Sequence, residues 1–349
     1  MTAFNPSSGF FARIEDEGAE EPFWCERGPE LLDIAVTGWC DYGCPFCYRK
    51  STTAGSHMPI ESYREVLRQA RDLGVMQVAL GGGNPNQHPE FSEILRATWV
   101  DFGIVPNYTT NGRGLSDEVL VSTQKYCGAV AVSAYAPYVE TGAAIRKLSG
   151  AGVTTNVHFI LSSKSVNEAL EWFDAPPAFL EGAAALVFLN YKPVGRIADE
   201  SMLANRSPRI VEFFSRATSA DLPWRVGFDT CTATGVARLG KASVLSLEPC
   251  DAGRFSMFVS EKLEVFPCSF MVEAGYRGIA LRDQSLADIW KSNPAFEKIR
   301  GQHKSGGCGD CGTRQHCLGG CPLFPQINFC EKNCTSQKTS DEEADETER

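Results

Sequence analysis

The stretch Val36-Thr-Gly-Trp-Cys-Asp-Tyr-Gly-Cys-Pro-Phe-Cys-Tyr-Arg-Lys50 decides how this chain is read. Cys40, Cys44 and Cys47 stand in a C-x3-C-x2-C spacing. They follow a short apolar run at 31–36 that reads as a buried strand, which places the thiols on a loop at its C-terminal end. Ligation needs deprotonated sulfur, and a short loop can wrap one centre, so this pattern suits a metal site. Structural zinc prefers four closed ligands, commonly C-x2-C pairs with a distant second pair or a His. Here there are three unevenly spaced Cys and no nearby His, which points instead to an iron–sulfur cluster with one iron left free.

The loop, with Phe46 as the aromatic before Cys47 and Tyr48 after it, resembles the signature of the radical S-adenosylmethionine (SAM) superfamily. The resemblance implies a [4Fe-4S] cluster on Cys40, Cys44 and Cys47 whose open iron chelates SAM. It further implies reductive cleavage to a 5′-deoxyadenosyl radical that abstracts a substrate hydrogen. The protein's share would be to bind, orient and exclude competing reactions.

Length and composition set limits. A chain of 349 residues, 43% hydrophobic, can form one large or two modest domains. With 33 basic against 43 acidic residues the net charge is −10, which argues against nucleic acid as a partner. Fourteen Cys without a signal-peptide pattern, and without an apolar stretch of membrane-spanning length, suggest a cytoplasmic metal-binding protein rather than a disulfide framework or a membrane protein.

Residues 1–30 show no periodicity and read as an N-terminal arm, with Cys25 a bystander. From 31 to 200, strand-like runs at 31–36, 77–80, 104–108, 129–132, 154–161 and 184–190 alternate with amphipathic runs at 60–73, 90–100, 117–124, 142–148 and 166–173. Six such units predict an α/β fold with a parallel sheet and all strand-end loops on one face. The resemblance adds that the sheet forms a partial (β/α)6 TIM-like barrel. Residues 201–245, with a helix at 207–217, read as a linker. An acidic tail, 335–349, reads as disordered.

Three further strand ends fall in register with the resemblance. Gly81-Gly-Gly-Asn-Pro85, followed by His88-Pro-Glu-Phe91, is similar to the superfamily's Gly-Gly-Glu-Pro segment that holds the SAM ammonium. Gly82, Gly83 and Pro85 match, while Asn84 stands where Glu is usual; Asn keeps an acceptor and loses a charge. Thr110 and Asn111, in Thr109-Thr-Asn-Gly112, and Ser133 complete the implied cofactor set. His158 reads as a packed strand residue, Cys127 as structural, and Lys192-Pro-Val-Gly-Arg196 as a segment where Lys or Arg faces the site.

The second strong signal is C-x2-C-x5-C-x3-C at Cys308, Cys311, Cys317 and Cys321, with Cys250 and Cys268 upstream. Four Cys within fourteen residues can hardly serve packing, although zinc uses similar spacing. Together with the first motif they resemble a SPASM extension over 246–334. That resemblance implies two auxiliary [4Fe-4S] clusters: one on Cys250, Cys268 and Cys321, the other on Cys308, Cys311, Cys317 and either Cys334 or Cys330. Cys231 is open to three readings: fourth ligand of the first auxiliary cluster, hydrogen-atom donor, or neither, with that cluster open to a substrate group. The family's Gly before the hairpin Cys is replaced here by Leu263.

The resemblance makes the chain an enzyme, a maturase of a peptide or protein substrate. An intramolecular crosslink in a ribosomally made peptide comes first among products. Epimerisation, sulfatase-type formylglycine formation and tetrapyrrole modification are the alternatives. A reducing partner such as flavodoxin or ferredoxin is implied, and leader-peptide binding falls to the barrel mouth or to a separate protein.

Overall fold

In the computed structural model the described residues are 2–6, 11–13, 22–219, 221–222, 224–241, 243, 247–305, 308 and 311–330. Cys334 and the acidic tail lie outside them. The stretch 1–30, expected to lack regular structure, holds a hairpin of β1 (Thr2–Phe4) and β2 (Phe11–Arg13). Arg13 fixes it to the body through a 2.8 Å ion pair with Glu30. Trp24 packs on Trp290, and the Trp290 indole donates to the Cys25 carbonyl at 2.7 Å, so Cys25 acts here through its backbone.

The six strand runs form β3 (Leu31–Thr37), β4 (Gln77–Gly82), β5 (Val105–Thr110), β6 (Val130–Ser133), β7 (Thr155–Leu161) and β8 (Ala185–Asn190), each parallel to the next. Between them lie α1 (Ile60–Asp72), α2 (Phe91–Arg96), α3 (Asp117–Tyr126), α4 (Val139–Gly150) and α5 (Val166–Asp174). α1 shows why the units close on the sheet. Its buried residues Tyr63, Val66, Leu67 and Ala70 recur at helical spacing, giving one apolar stripe. α3 starts where the Ser116 hydroxyl accepts from the Val119 N–H.

The sheet is wider than the sequence suggested. The stretch 201–245 carries α6 (Ile210–Ala217), a seventh parallel strand β9 (Arg225–Phe228) and α7 (Ala233–Leu239). Phe213 and Phe214 of α6 bury fully; Phe214 packs edge-on against Phe329 at 4.9 Å, tying the C-terminal region to the barrel. Each such ring contributes about 1.5–3 kcal/mol by burial.

Beyond β9 the chain returns to the opposite edge. β10 (Ser256–Val259) pairs parallel with β3, and β11 (Glu264–Phe266) and β12 (Ile279–Ala280) add antiparallel strands. The result is one open ten-stranded sheet in the order β12-β11-β10-β3-β4-β5-β6-β7-β8-β9. In the β10–β11 turn Leu263 has φ +60°, the left-handed conformation for which glycine is suited. α8 (Leu286–Ser292), α9 (Pro294–Ser305) and α10 (Arg314–Cys317) follow. Among the described residues no helix is long and apolar enough to cross a membrane.

Candidate functional site

Parallel strands bring their C-terminal ends to one edge, and there the loops after β3 to β6 meet. The cysteine loop is held from several sides. The Cys40 N–H donates to the Thr52 carbonyl at 3.1 Å and the Gly38 N–H to that of Ser56 at 2.7 Å. The Arg196 N–H reaches the Cys47 carbonyl at 3.0 Å, so the segment after β8 packs on the loop as expected for Lys192–Arg196. Arg49 forms a 2.6 Å ion pair with Glu261 of the β10–β11 turn, both side chains almost wholly buried.

Cys40, Cys44 and Cys47 all face one cavity of about 360 Å³. Phe46, Gly82, Gly83, Thr110, Asn111 and Ser133 line it with them. The Asn111 amide contacts the Cys40 sulfur at 3.5 Å. The Cys44 thiol is pushed up, first by its hydrogen bond with Cys47 and then by burial. That hydrogen bond lowers Cys47, as do the Ser51 and Arg49 backbone and the Arg196 charge. Three soft donors aimed into one cavity fit an iron–sulfur cluster. No group of three or more His, Cys, Asp or Glu among the described residues converges closely enough to hold a single ion.

Asn84 and Pro85 are buried and do not line this cavity. Asn84, 1% exposed, spends its side chain on the next loop. Its Oδ1 accepts from Thr110 Oγ1 and the Asn111 N–H, each at 3.1 Å, and its Nδ2 donates to the Arg113 carbonyl at 3.0 Å. Asn84 therefore shapes the Thr110–Asn111 turn and does not reach into the cavity. The glycines beside it answer to a protein neighbour: a Cβ on Gly82, at φ +110°, or on Gly83 would overlap the carbonyl of Thr37 or Trp39. The bare backbone lets β4 close onto the cysteine loop, where the Gly83 N–H bonds Thr37 at 2.6 Å.

The structure adds wall residues that sequence reasoning did not place in the site. Tyr135 hydrogen-bonds to both Cys44 and Ser133, and its ring stacks on Tyr42 at 5.3 Å. His158, expected as packing, is half-buried and faces the cavity, where burial lowers its imidazole to about 4 and keeps it neutral. Asp33 of β3 also lines it; desolvation, aided by Asp251, raises its carboxyl to about 7. An inward-facing polar residue within an apolar strand was the available signal for both.

A second thiol set lies past the ends of β8 and β9. Cys231 hydrogen-bonds to Cys321, and that contact, then burial, raises its thiol while Lys192 opposes the rise. Cys250 and Cys268 are raised by burial and next by Cys231, Cys268 to about 12. Cys231 thus meets Cys321 directly, and Cys250 and Cys268 lie within its electrostatic reach. Cys308 and Cys317 are buried, and Cys311 is half-buried with its sulfur 3.3 Å from Thr313 Oγ1. Cys330 is half-buried. Cys127 is half-buried, packs on the core outside the cavity, and has its thiol pKa raised by desolvation.

Known proteins place this arrangement. Residues 34–168 match the family model of the Radical SAM superfamily, and residues 250–312 match SPASM, described as an iron–sulfur cluster-binding domain. The chain is 25% identical over 321 residues to mycofactocin maturase MftC of Mycobacterium ulcerans, covering 84% of this chain and 83% of that protein. It is 24% identical over 316 residues to the PqqA peptide cyclase of Granulibacter bethesdensis, covering 84% and 82%. Its fold is similar to that of Streptococcus suis SuiB, solved with S-adenosylmethionine bound, at a TM-score of 0.69 and 18% identity over 88% of this chain and 78% of that one. With a thiol loop facing the mouth of a parallel sheet and a second thiol set beyond it, the chain belongs to the radical SAM superfamily, as an enzyme that carries a C-terminal iron–sulfur SPASM domain.

Proposed function

We propose that this enzyme is a peptide maturase that forms an intramolecular crosslink in a ribosomally made peptide. The observation that carries the reading is the cavity with the Cys40–Cys44–Cys47 loop on one wall and Asn190 and Lys192 on the other, where Asn190 Nδ2 donates to the carbonyl of Cys231 in the second thiol set behind it. A [4Fe-4S] cluster on the first three thiols would supply the electron that splits SAM. Residues of the chain do the rest. Asn111, whose amide donates to the Cys40 sulfur, steadies that ligand. Backbone at Gly82 and Gly83, with Thr110 and Ser133, offers polar groups to SAM along β4, β5 and β6. Phe46, edge-on to Tyr191 at 6.1 Å, and Phe270 keep the far side apolar, which limits quenching of a radical by water.

A closing crosslink removes two hydrogens from the substrate, and after the first abstraction one electron must leave. Cys231, Cys250, Cys268 and Cys321 would hold an auxiliary cluster, which could accept that electron; Cys308, Cys311 and Cys317 would hold a second, closed by Cys330 or Cys334. The relatives named as a maturase and a peptide cyclase support a peptide substrate. Epimerisation needs a thiol donor in the cavity, and neither Cys231 nor Cys127 lines it. A flavodoxin- or ferredoxin-type reductant supplies electrons, and a separate leader-binding protein is compatible with this site.

The test is anaerobic reconstitution with SAM and dithionite, followed by co-expression with short peptides encoded beside the gene. Formation of 5′-deoxyadenosine and a peptide lighter by two hydrogens are expected. Absence of 5′-deoxyadenosine would end the reading. A peptide unchanged in mass in ordinary water but one unit heavier in deuterium oxide would replace crosslinking by epimerisation.

A further inference from the structure

One carboxyl in the cavity has no partner within the chain. Asp33 lines the cavity from β3 and makes neither a hydrogen bond nor an ion pair with any described residue. Its ladder neighbours are Ala79 of β4 and Phe258 of β10, a methyl and a phenyl ring that line the cavity beside it and offer no polar group. Lys192 is the one lysine or arginine lining the cavity among the described residues, and its charge is already answered. Its Nζ donates to Asp229 Oδ2 at 2.8 Å and to the Asn190 carbonyl at 2.9 Å. The Arg49 guanidinium, 5.3 Å from the centre of the Phe258 ring, is likewise paired, with Glu261 at 2.6 Å.

Taking a carboxylate out of water without a partner is costly, and desolvation, aided by the Asp251 charge, raises this one to about 7. Room for a partner lies beside it. Ala79 and Gly81 are successive inward positions of β4, and a Cβ on Gly81 would meet no other atom within 4 Å. That space is set apart from the polar groups offered to SAM. Ala79, level with Asp33, stands three residues before Gly82, roughly 10 Å lower along the strand.

We propose that Asp33 is a specificity-determining residue whose carboxylate takes a cationic side chain, lysine or arginine, of the substrate peptide inside the barrel. This rests on the reading of the enzyme as a peptide maturase. The contact is an ion pair, so no bond is made or broken and no electron moves. An ammonium or guanidinium brings both the positive charge and the N–H donors that Ala79 and Phe258 lack. SAM carries cationic groups of its own, an ammonium and a sulfonium, and the test separates the two sources.

The experiment is calorimetry on the reconstituted full chain with SAM bound, using n-butylammonium as the lysine side-chain probe and 1-butanol as its uncharged counterpart. The pH is set one unit above the value of about 7 to which burial raises Asp33, so that the carboxyl is charged. n-Butylammonium should bind about tenfold tighter than 1-butanol, and Asp33→Asn, which keeps the shape and removes the charge, should abolish that preference. Iron content equal to that of the unaltered chain checks that the variant folds. Absence of n-butylammonium binding, equal binding of the two probes, or a preference that survives in Asp33→Asn overturns the proposal. So does a tenfold loss of SAM affinity in Asp33→Asn, or competition between n-butylammonium and SAM, because either result gives the carboxylate to SAM. The maturase reading fails separately, by absence of 5′-deoxyadenosine from the unaltered chain, and that outcome leaves the binding comparison readable.

Discussion

Removing the Glu261 carboxylate should loosen the cysteine loop from the C-terminal hairpin. Arg49 follows Cys47 by two residues, and its ion pair with Glu261 is 2.6 Å long with side chains 5% and 9% exposed. Nε and Nη1 of Arg49 have no hydrogen-bond partner among the described residues, so Glu261 and the Phe258 ring, 5.3 Å away, are what answer its charge. Glu261→Ala would strand a buried guanidinium, and breaking such a pair costs about 3–5 kcal/mol. For a chain of this size that corresponds to a fall in Tm on the order of 6–10 °C. Urea unfolding of iron-free protein is the cleaner measurement, because cluster loss would break two-state behaviour. The pair Arg49→Met with Glu261→Met should recover most of the loss, since no charge is left buried. A loss under about 1 kcal/mol for Glu261→Ala, or a double variant weaker than the single, would refute the reasoning.

Three further outcomes are expected. Asn84→Leu leaves Thr110 Oγ1, the Asn111 N–H and the Arg113 carbonyl without their partner, at about 1–3 kcal/mol, and should weaken SAM binding measured by calorimetry; unchanged affinity would show that the turn holds without it. Asp33 is protonated to about pH 7 when folded against 3.8 as a free group, so unfolding releases a proton between those values and stability falls as pH rises through that window. The fall is at most about 4 kcal/mol, and Asp33→Asn should flatten it in urea titrations of iron-free protein; an equal slope in both would remove Asp33 as the cause. Replacing Cys40, Cys44 and Cys47 by Ala should lower reconstituted iron from about twelve to about eight per chain and abolish 5′-deoxyadenosine, whereas Cys231→Ala should lower iron and spare SAM cleavage. Full iron in Cys231→Ala would leave Cys231 outside the cluster.

The repeating units of the barrel were legible because each strand run is apolar, each helix run is amphipathic, and glycine or a capping Ser separates them. The two Cys motifs were legible because spacing along a loop fixes which thiols can meet. Contacts that join distant segments were less so. β9 hides in Arg225-Val-Gly-Phe228, four residues with a glycine, and its membership of the sheet depends on β8 lying alongside. The pairing of β10 with β3 spans more than two hundred residues, and local periodicity carries no record of it. Cys231 could be named in advance, but its approach to Cys321 follows from α7 and the C-terminal turn packing together. Asn84 shows another limit: the motif names the loop, but that the Asn side chain bonds both donors and an acceptor of the neighbouring turn depends on β5 lying alongside.

The ladder between β10 and β3 has a mechanical consequence. Strand β3 runs directly into the cysteine loop, and β10 leads through its hairpin to Cys268, so the two thiol-bearing halves are stitched edge to edge by main-chain hydrogen bonds. A domain on a swinging hinge would let the spacing between the two thiol sets vary. Here the pitch of a sheet rules that spacing, and under the proposed function tolerance for movement would come from the substrate and the loops that admit it.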